Sequence, residues 1–346
     1  MIGRRGPRLV LRADAGHDLG SGHVMRLSAL ADAALDRNGE VVLLVGGEPG
    51  ATLDHLATRR IASVRVEDET GGPDDRDAVI ARARALGADA VVLDGPSFTP
   101  DYAAAIAAAG LRVASLDDLA LAPLPTDVVI NHNLGAESLR DRYARAHLRL
   151  LGRRFHLLRR EFRAAPPAGA PLRATARRVL ITMGGSDPVG ATARVVTAMP
   201  GTGLELVVVL GPGFRADATL TVALADAERR GHGIQLHYRP RDLPAVMASC
   251  DLAVSASGGT LAELGYLGRP TVALAIVPDQ VANARHHREL GLAVCGRPID
   301  ELSDDELAAE IAALLADEPL RRRLRDHTAA SVDGRGAERV VEHLAA

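Results

Sequence analysis

The sequence predicts an α/β protein built from two doubly wound parallel sheets. Three observations lead there. Short Val/Leu/Ile runs alternate with alanine-rich helical segments along all 346 residues. The runs are continuous rather than alternating in polarity, as in strands buried on both faces of a parallel sheet. A proline- and alanine-rich stretch then interrupts the rhythm once, near the middle, and a length of this order accommodates two domains with separate cores.

In the first half, strands are expected at Arg8 to Arg12, Val41 to Val45, Ser63 to Val66, Ala90 to Leu93, Arg112 to Leu116 and Asp127 to Ile130. Helices are expected between them at Val24 to Arg37, Ala51 to Arg59, Arg76 to Leu86 and Pro100 to Ala109. This βαβα order is that of a Rossmann-like domain, assigned to residues 1–163. Residues 164–176 (AAPPAGAPLRATA) read as a linker. The pattern restarts over 177–317, with strands at Arg178 to Met183, Glu205 to Leu210, Ile234 to His237, Leu252 to Ser255 and Thr271 to Ala275, and a helix at Gly190 to Met199. Residues 318–346 read as helices that pack back across the linker. In open parallel sheets ligands sit beyond the carboxyl ends of the strands, so a cleft faced by both domains is where chemistry is expected.

Composition narrows the function. The net charge of -3 points to neither a nucleic-acid nor a membrane surface. All 41 basic residues are Arg, which excludes a Schiff-base or P-loop lysine. Aromatic residues are 2% with no Trp, against a sugar platform of stacked indoles. Cys250 and Cys295 lack metal-ligand spacing and read as buried thiols of a reducing compartment. No stretch of 18 apolar residues occurs, and Met1 to Pro7 leads into a strand rather than resembling a signal peptide, so a soluble cytoplasmic protein is expected.

The most informative motif is Ser255-Ala256-Ser257-Gly258-Gly259-Thr260-Leu261-Ala262-Glu263, a strand-to-helix turn. Glycines there let backbone N–H groups approach a diphosphate, with the helix N-terminus adding positive charge. Glu263, one turn in, suits ribose hydroxyls. Tight packing of a turn on a sheet would select the same glycines. Two further strand-terminal turns, Gly184-Gly185-Ser186 and Gly211-Pro212-Gly213, strengthen the nucleotide reading. Gln280 and Asn283, just beyond a strand, suit sugar hydroxyls. Tyr238 to Asp242 reads equally as a base-binding loop or a solvated charged turn.

In the first half, Gly20-Ser21-Gly22-His23 opens a helix. His23 in the first turn is expected to stay neutral beside the helix dipole and to act as general base; helix capping or core packing is the alternative. His17 shares the loop and ranks lower. Arg26, one turn on, is placed to orient His23 or to contact a substrate anion. Asp14 follows the first strand and reads as a partner of an imidazole or hydroxyl, or as a loop cap. Asp117-Asp118 read as sugar or loop contacts, since no third metal ligand stands at suitable spacing; neither metal nor cofactor is expected.

Together these segments resemble the GT-B superfamily of nucleotide-sugar enzymes, and within it most closely the UDP-sugar hydrolase of pseudaminic acid biosynthesis. The resemblance runs from Arg12 to about His287 and rests on Arg12-Ala13-Asp14, Gly20 to Arg26, Ser115 to Asp118, Val129 to Asn131, Met183 to Asp187, Ser255 to Glu263 and Asp279-Gln280. It implies a GT-B fold, a UDP-sugar substrate, His23 and Asp14 as catalytic residues and no metal. It further implies Arg12, Gly22, Arg26, Asp94, Asp117, Gln280 and Asn283 at the substrate. Gly184, Gly185, Ser186, Ser257, Gly258, Gly259, Thr260 and Glu263 would then hold UDP. A monomer or weak homodimer is expected. The family carries a Tyr soon after the Asp that ends its fourth strand, where this chain has Asp94-Gly95-Pro96-Ser97-Phe98. The sugar pocket is therefore expected to differ. Hydrolysis of the UDP-sugar is the first expectation; transfer to a small acceptor, such as a nucleobase or natural-product core, is the second. An epimerase or a non-catalytic binding protein is a distant third.

Overall fold

The computed structural model describes residues 5–16, 20–166, 171–215 and 218–345; His17 and the middle of the expected linker lie outside them. The chain divides into two compact units, one formed by residues up to Arg160 together with those from Gly334 on, the other by Glu161–Asp333.

In the first unit the order is β1 (Arg8–Ala15), α1 (Gly22–Leu35), β2 (Glu40–Gly47), α2 (Ala51–Thr58), β3 (Ala62–Arg65), α3 (Pro73–Leu86), β4 (Ala90–Asp94), α4 (Pro100–Ala108), β5 (Val113–Leu116), β6 (Val128–Asn131) and β7 (Leu148–Leu151). The strands form one parallel sheet in the order β3-β2-β1-β4-β5-β6-β7. A short helix, α5 (Arg160–Arg163), lies at the boundary of the units.

The second unit repeats the plan with β8 (Arg178–Thr182), α6 (Ala191–Thr197), β9 (Glu205–Leu210), α7 (Ala218–Arg229), β10 (Gly233–Tyr238), α8 (Leu243–Ala248), β11 (Leu252–Ala256), α9 (Thr260–Tyr266), β12 (Thr271–Ala275), α10 (Val281–Glu289), β13 (Val294–Pro298), α11 (Asp304–Ala316) and α12 (Glu318–Ser331). Its parallel sheet runs β10-β9-β8-β11-β12-β13. The doubly wound α/β expectation is borne out in both halves.

The strand order reverses beside β1 in one sheet and beside β8 in the other. Ala13 of β1 pairs with Asp94 of β4, and Thr182 of β8 with Ser255 of β11. These reversals open the crevice in which doubly wound folds hold ligands. The loops at both places are the ones carrying the unusual residues of the sequence.

Two edge strands were not expected. β7 (LRLL) interrupts its apolar run with Arg149, and β13 (VCGRP) carries Cys295 and Gly296 at positive φ beside a register shift. Neither shows the uninterrupted run by which the central strands are read.

Helix α13 (Gly336–Leu344) returns to the first unit, whereas α12 stays with the second. Its Ala337, Val340, Val341 and Leu344 are buried in one cluster with Val24, Leu27 and Leu30 of α1. Gly336 makes the approach possible: a Cβ there would stand 2.2 Å from the His156 carbonyl oxygen. Leu344 also offers its carbonyl to Arg112 Nη1 at 3.1 Å. Leu344→Ala should destabilise the first unit by about 2–5 kcal/mol, measured by chemical denaturation; an unchanged midpoint would show that α13 is not part of this core.

Candidate functional site

In the first unit, six side chains converge at the carboxyl ends of β4, β5 and β6 beside the first turns of α1. His23 and Arg26, three residues apart, share one face of α1. His23 Nδ1 lies 2.8 Å from Asp94 Oδ1. Arg26 grips both oxygens of Asp94, Nε on Oδ2 and Nη2 on Oδ1, each at 2.5 Å. Its Nη1 donates to Asp118 Oδ2 at 2.8 Å. Asn133 Nδ2 donates to the other oxygen of Asp118 at 2.7 Å. His132 accepts the backbone N–H of Leu157 on Nδ1 at 3.1 Å, and its Nε2 stands 3.5 Å from Arg26 Nη1.

The electrostatics follow from these contacts. Burial opposes the ionised form of Asp94, but Arg26 and His23 outweigh it and hold the carboxyl well below its ordinary range. Asp118 is lowered as well, burial being overcome chiefly by Arg26. His23 is the important case. Burial and Arg26 disfavour its imidazolium, yet the Asp94 carboxylate raises its pKa above the ordinary 6.5. The Asp94 carboxylate, in hydrogen-bond contact, thus acts against the helix dipole that was expected to disfavour the protonated ring. An ionised Asp94 can only accept, so Nδ1 carries a proton and Nε2 is the basic nitrogen. His132, by contrast, is pushed down to about 4 by burial, with Arg26 adding to the effect.

Several residues expected at the site have other work. Arg12 is completely buried, with Nη1 on Asp14 at 2.6 Å and Nε on Asp75 at 2.9 Å, and it reaches no solvent. Asp14 is 2% exposed and binds Arg12 and Thr70, not His23. The carboxylate on His23 belongs to Asp94, whose two oxygens are occupied by His23 and Arg26 and so are not offered to a substrate. Asp117 accepts the N–H groups of Leu119 and Ala120 and caps its own loop; its neighbour Asp118 joins the group instead. Gly22 is the first residue of α1, and a Cβ there would meet nothing within 4 Å. Phe98, where the family places a Tyr nearby, is buried against Tyr102 and Arg12.

In the second unit the turns after β8, β9 and β11 lie at the same end of the sheet. Gly213 donates its N–H to the Gly185 carbonyl at 2.8 Å, and a Cβ on Gly211 would stand 2.3 Å from the Gly184 carbonyl oxygen, so two of the turns touch. Asp187 caps α6 through the N–H groups of Ala191 and Thr192, and Ser186 is mostly buried. Gln280 Oε1 accepts the N–H groups of Ser257 (3.3 Å) and Ile276 (3.2 Å), while Asn283 Nδ2 donates to the Ser257 carbonyl at 2.8 Å. These two amides thus hold the glycine turn in shape. Ser257 Oγ is buried without a protein partner, whereas Gly259 is exposed and Gly258 and Thr260 are half-buried. Glu263 is 7% exposed inside α9, a helix of only seven residues. Tyr238 is exposed, stacked under Arg239, and Asp242 caps α8.

Among the described residues no group of three His, Cys, Asp or Glu side chains is placed to hold a metal ion, and no helix is long and apolar enough to cross a membrane.

No protein-family model matches the chain. It is 35% identical over 168 residues to a UDP-N-acetylglucosamine–N-acetylmuramyl-(pentapeptide) pyrophosphoryl-undecaprenol N-acetylglucosamine transferase of Nitrobacter winogradskyi, a match covering 44% of this chain and 42% of that protein. The chain thus aligns with less than half the length of that relative. MurG of Acinetobacter baumannii superposes with a TM-score of 0.66 at 17% identity, over 98% of this chain and 99% of that one. The calicheamicin glycosyltransferase CalG4 does so with a TM-score of 0.63 at 16% identity, over 99% and 98%. The fold is GT-B. That much of the resemblance stands, whereas a special closeness to the pseudaminic acid hydrolase finds no support in these likenesses.

Asp94→Asn should bring the His23 pKa down from above 6.5, read by NMR titration of the ring. An unmoved pKa would show that the carboxylate does not control the imidazole.

Proposed function

We propose that this chain is a UDP-sugar glycosyltransferase that passes its glycosyl group to a small acceptor, with His23 as general base. The observation that carries the reading is the Asp94–His23 pair, which leaves Nε2 as the basic nitrogen of a half-buried imidazole. Among the similar proteins, the names of the Nitrobacter winogradskyi N-acetylglucosamine transferase and of the glycosyltransferase CalG4 support transfer over hydrolysis, and the hydrolase expectation is not carried forward.

In this mechanism Nε2 takes the proton of an acceptor O–H or N–H as that atom attacks C1 of the sugar. The C1–O bond to the diphosphate breaks, and its electron pair leaves with UDP. Asp94 holds the ring and stabilises the imidazolium that forms, while Arg26 keeps Asp94 ionised. Both carboxylates of the group are committed to Arg26, His23 and Asn133, so neither serves as a covalent nucleophile. Direct displacement with inversion at C1 follows. The second unit, taken by itself, carries groups suited to a nucleoside diphosphate: the exposed Gly259, the half-buried Gly258 and the unpartnered Ser257 Oγ suit phosphate oxygens. Glu263 is assigned to the ribose on the resemblance.

His23→Ala should lower acceptor-dependent UDP release by about 10²–10⁴-fold while calorimetry shows unchanged UDP affinity. Undiminished release would remove His23 from the mechanism. Release that is equally fast without acceptor would point to hydrolysis instead. Because the base must be unprotonated and its pKa is raised, kcat/KM should climb with pH through an apparent pKa above 6.5. A limb below that value would contradict the Asp94 coupling.

A further inference from the structure

His132 is 4% exposed and stacked on His156 with ring centroids 4.5 Å apart, and nothing above gives it a function. Its backbone contact settles its tautomer. Nδ1 accepts the Leu157 N–H, so in the neutral ring the proton is on Nε2. The group within bonding distance of that Nε2–H is Arg26 Nη1, which is itself only a donor. Two N–H groups, 3.5 Å apart, therefore face one another at the end of β6, and a buried donor without an acceptor is costly. Such an arrangement is stable when an oxygen sits against both.

Resting on the proposed glycosyl transfer, we infer that His132 Nε2–H and Arg26 Nη1–H form a substrate subsite that binds an uncharged oxygen, a hydroxyl or an amide carbonyl. Charge argues for an uncharged ligand. The Arg26 cation is already matched by two carboxylates, Asp94 and Asp118, so an added phosphate or carboxylate would meet an excess of negative charge. A neutral His132 adds a donor without adding a charge. The oxygen belongs either to the donor sugar or to the acceptor, and kinetics separate the two.

The test compares His132→Leu, which removes the donor, with His132→Gln, which retains an N–H. His132→Leu should raise the KM of one substrate about tenfold or more, the scale of one lost hydrogen bond to a buried group, leaving UDP affinity by calorimetry unchanged. The substrate whose KM rises carries the oxygen. His132→Gln should recover most of that loss, which a purely structural role would not produce if both variants fold alike by circular dichroism. Unchanged KM values for both substrates in His132→Leu would overturn the inference and assign the place to a permanent water. Long-range ¹⁵N NMR of the wild type gives an independent reading, with Nε2–H expected across pH 6–8. An Nδ1–H tautomer or an imidazolium there would also overturn it. Failure of the underlying functional reading looks different: wild-type protein that neither binds UDP nor turns over any UDP-sugar overturns both.

Discussion

The first unit is organised around the ion pair between Arg26 and Asp94. Asp94 ends a central strand and is 1% exposed, a place where an unpaired carboxylate would be strongly destabilising. The bidentate guanidinium answers that need, and in doing so it clamps the second turn of α1 to the end of β4. His23 sits one turn earlier on the same helix face, so the clamp sets where its ring lies and which nitrogen carries the proton. The remaining Arg26 nitrogen then fixes Asp118 from the next strand, and Asp118 fixes Asn133 from the one after. One cation thus brings three loop ends into register.

The two units use the same wiring for different chemistry. Both reverse strand order beside their first strand, and both place their unusual residues there. The first fills that position with charge held by charge. The second fills it with glycines and small hydroxyl residues shaped by two side-chain amides, Gln280 and Asn283. The topology supplies a location, and the residues at the strand ends decide what the location can do.

The central strands were legible because burial on both faces favours Val/Leu/Ile runs, which β4, β8 and β9 supply unbroken and β1 in its first half. His23 and Arg26 were legible from the glycine loop and helical spacing. Other roles depend on partners far along the chain, which periodicity does not reveal. Arg12 has the look of a site residue at a strand end until Asp75, 63 positions away, is seen to accept its guanidinium. Asp94 looks like a sugar ligand until His23 and Arg26 occupy it. His132 carried no signal, since its tautomer is set by the backbone amide of Leu157 rather than by any side chain. The Asp117-Asp118 pair was noticed, but only the turn of the loop decides which carboxylate faces Arg26.

Helix α13 has a consequence for how the molecule comes into being. The residues that finish the hydrophobic interior around α1 are made after the whole second unit. During synthesis the early half emerges from the ribosome with the surface of α1 that α13 will cover still open to water. It can reach its final packing only once α13 has been made. The nascent first unit would therefore wait, incompletely sealed, through the translation of more than 170 further residues (Glu161–Asp333). Chaperones that recognise exposed aliphatic side chains would have their longest opportunity to bind during that interval.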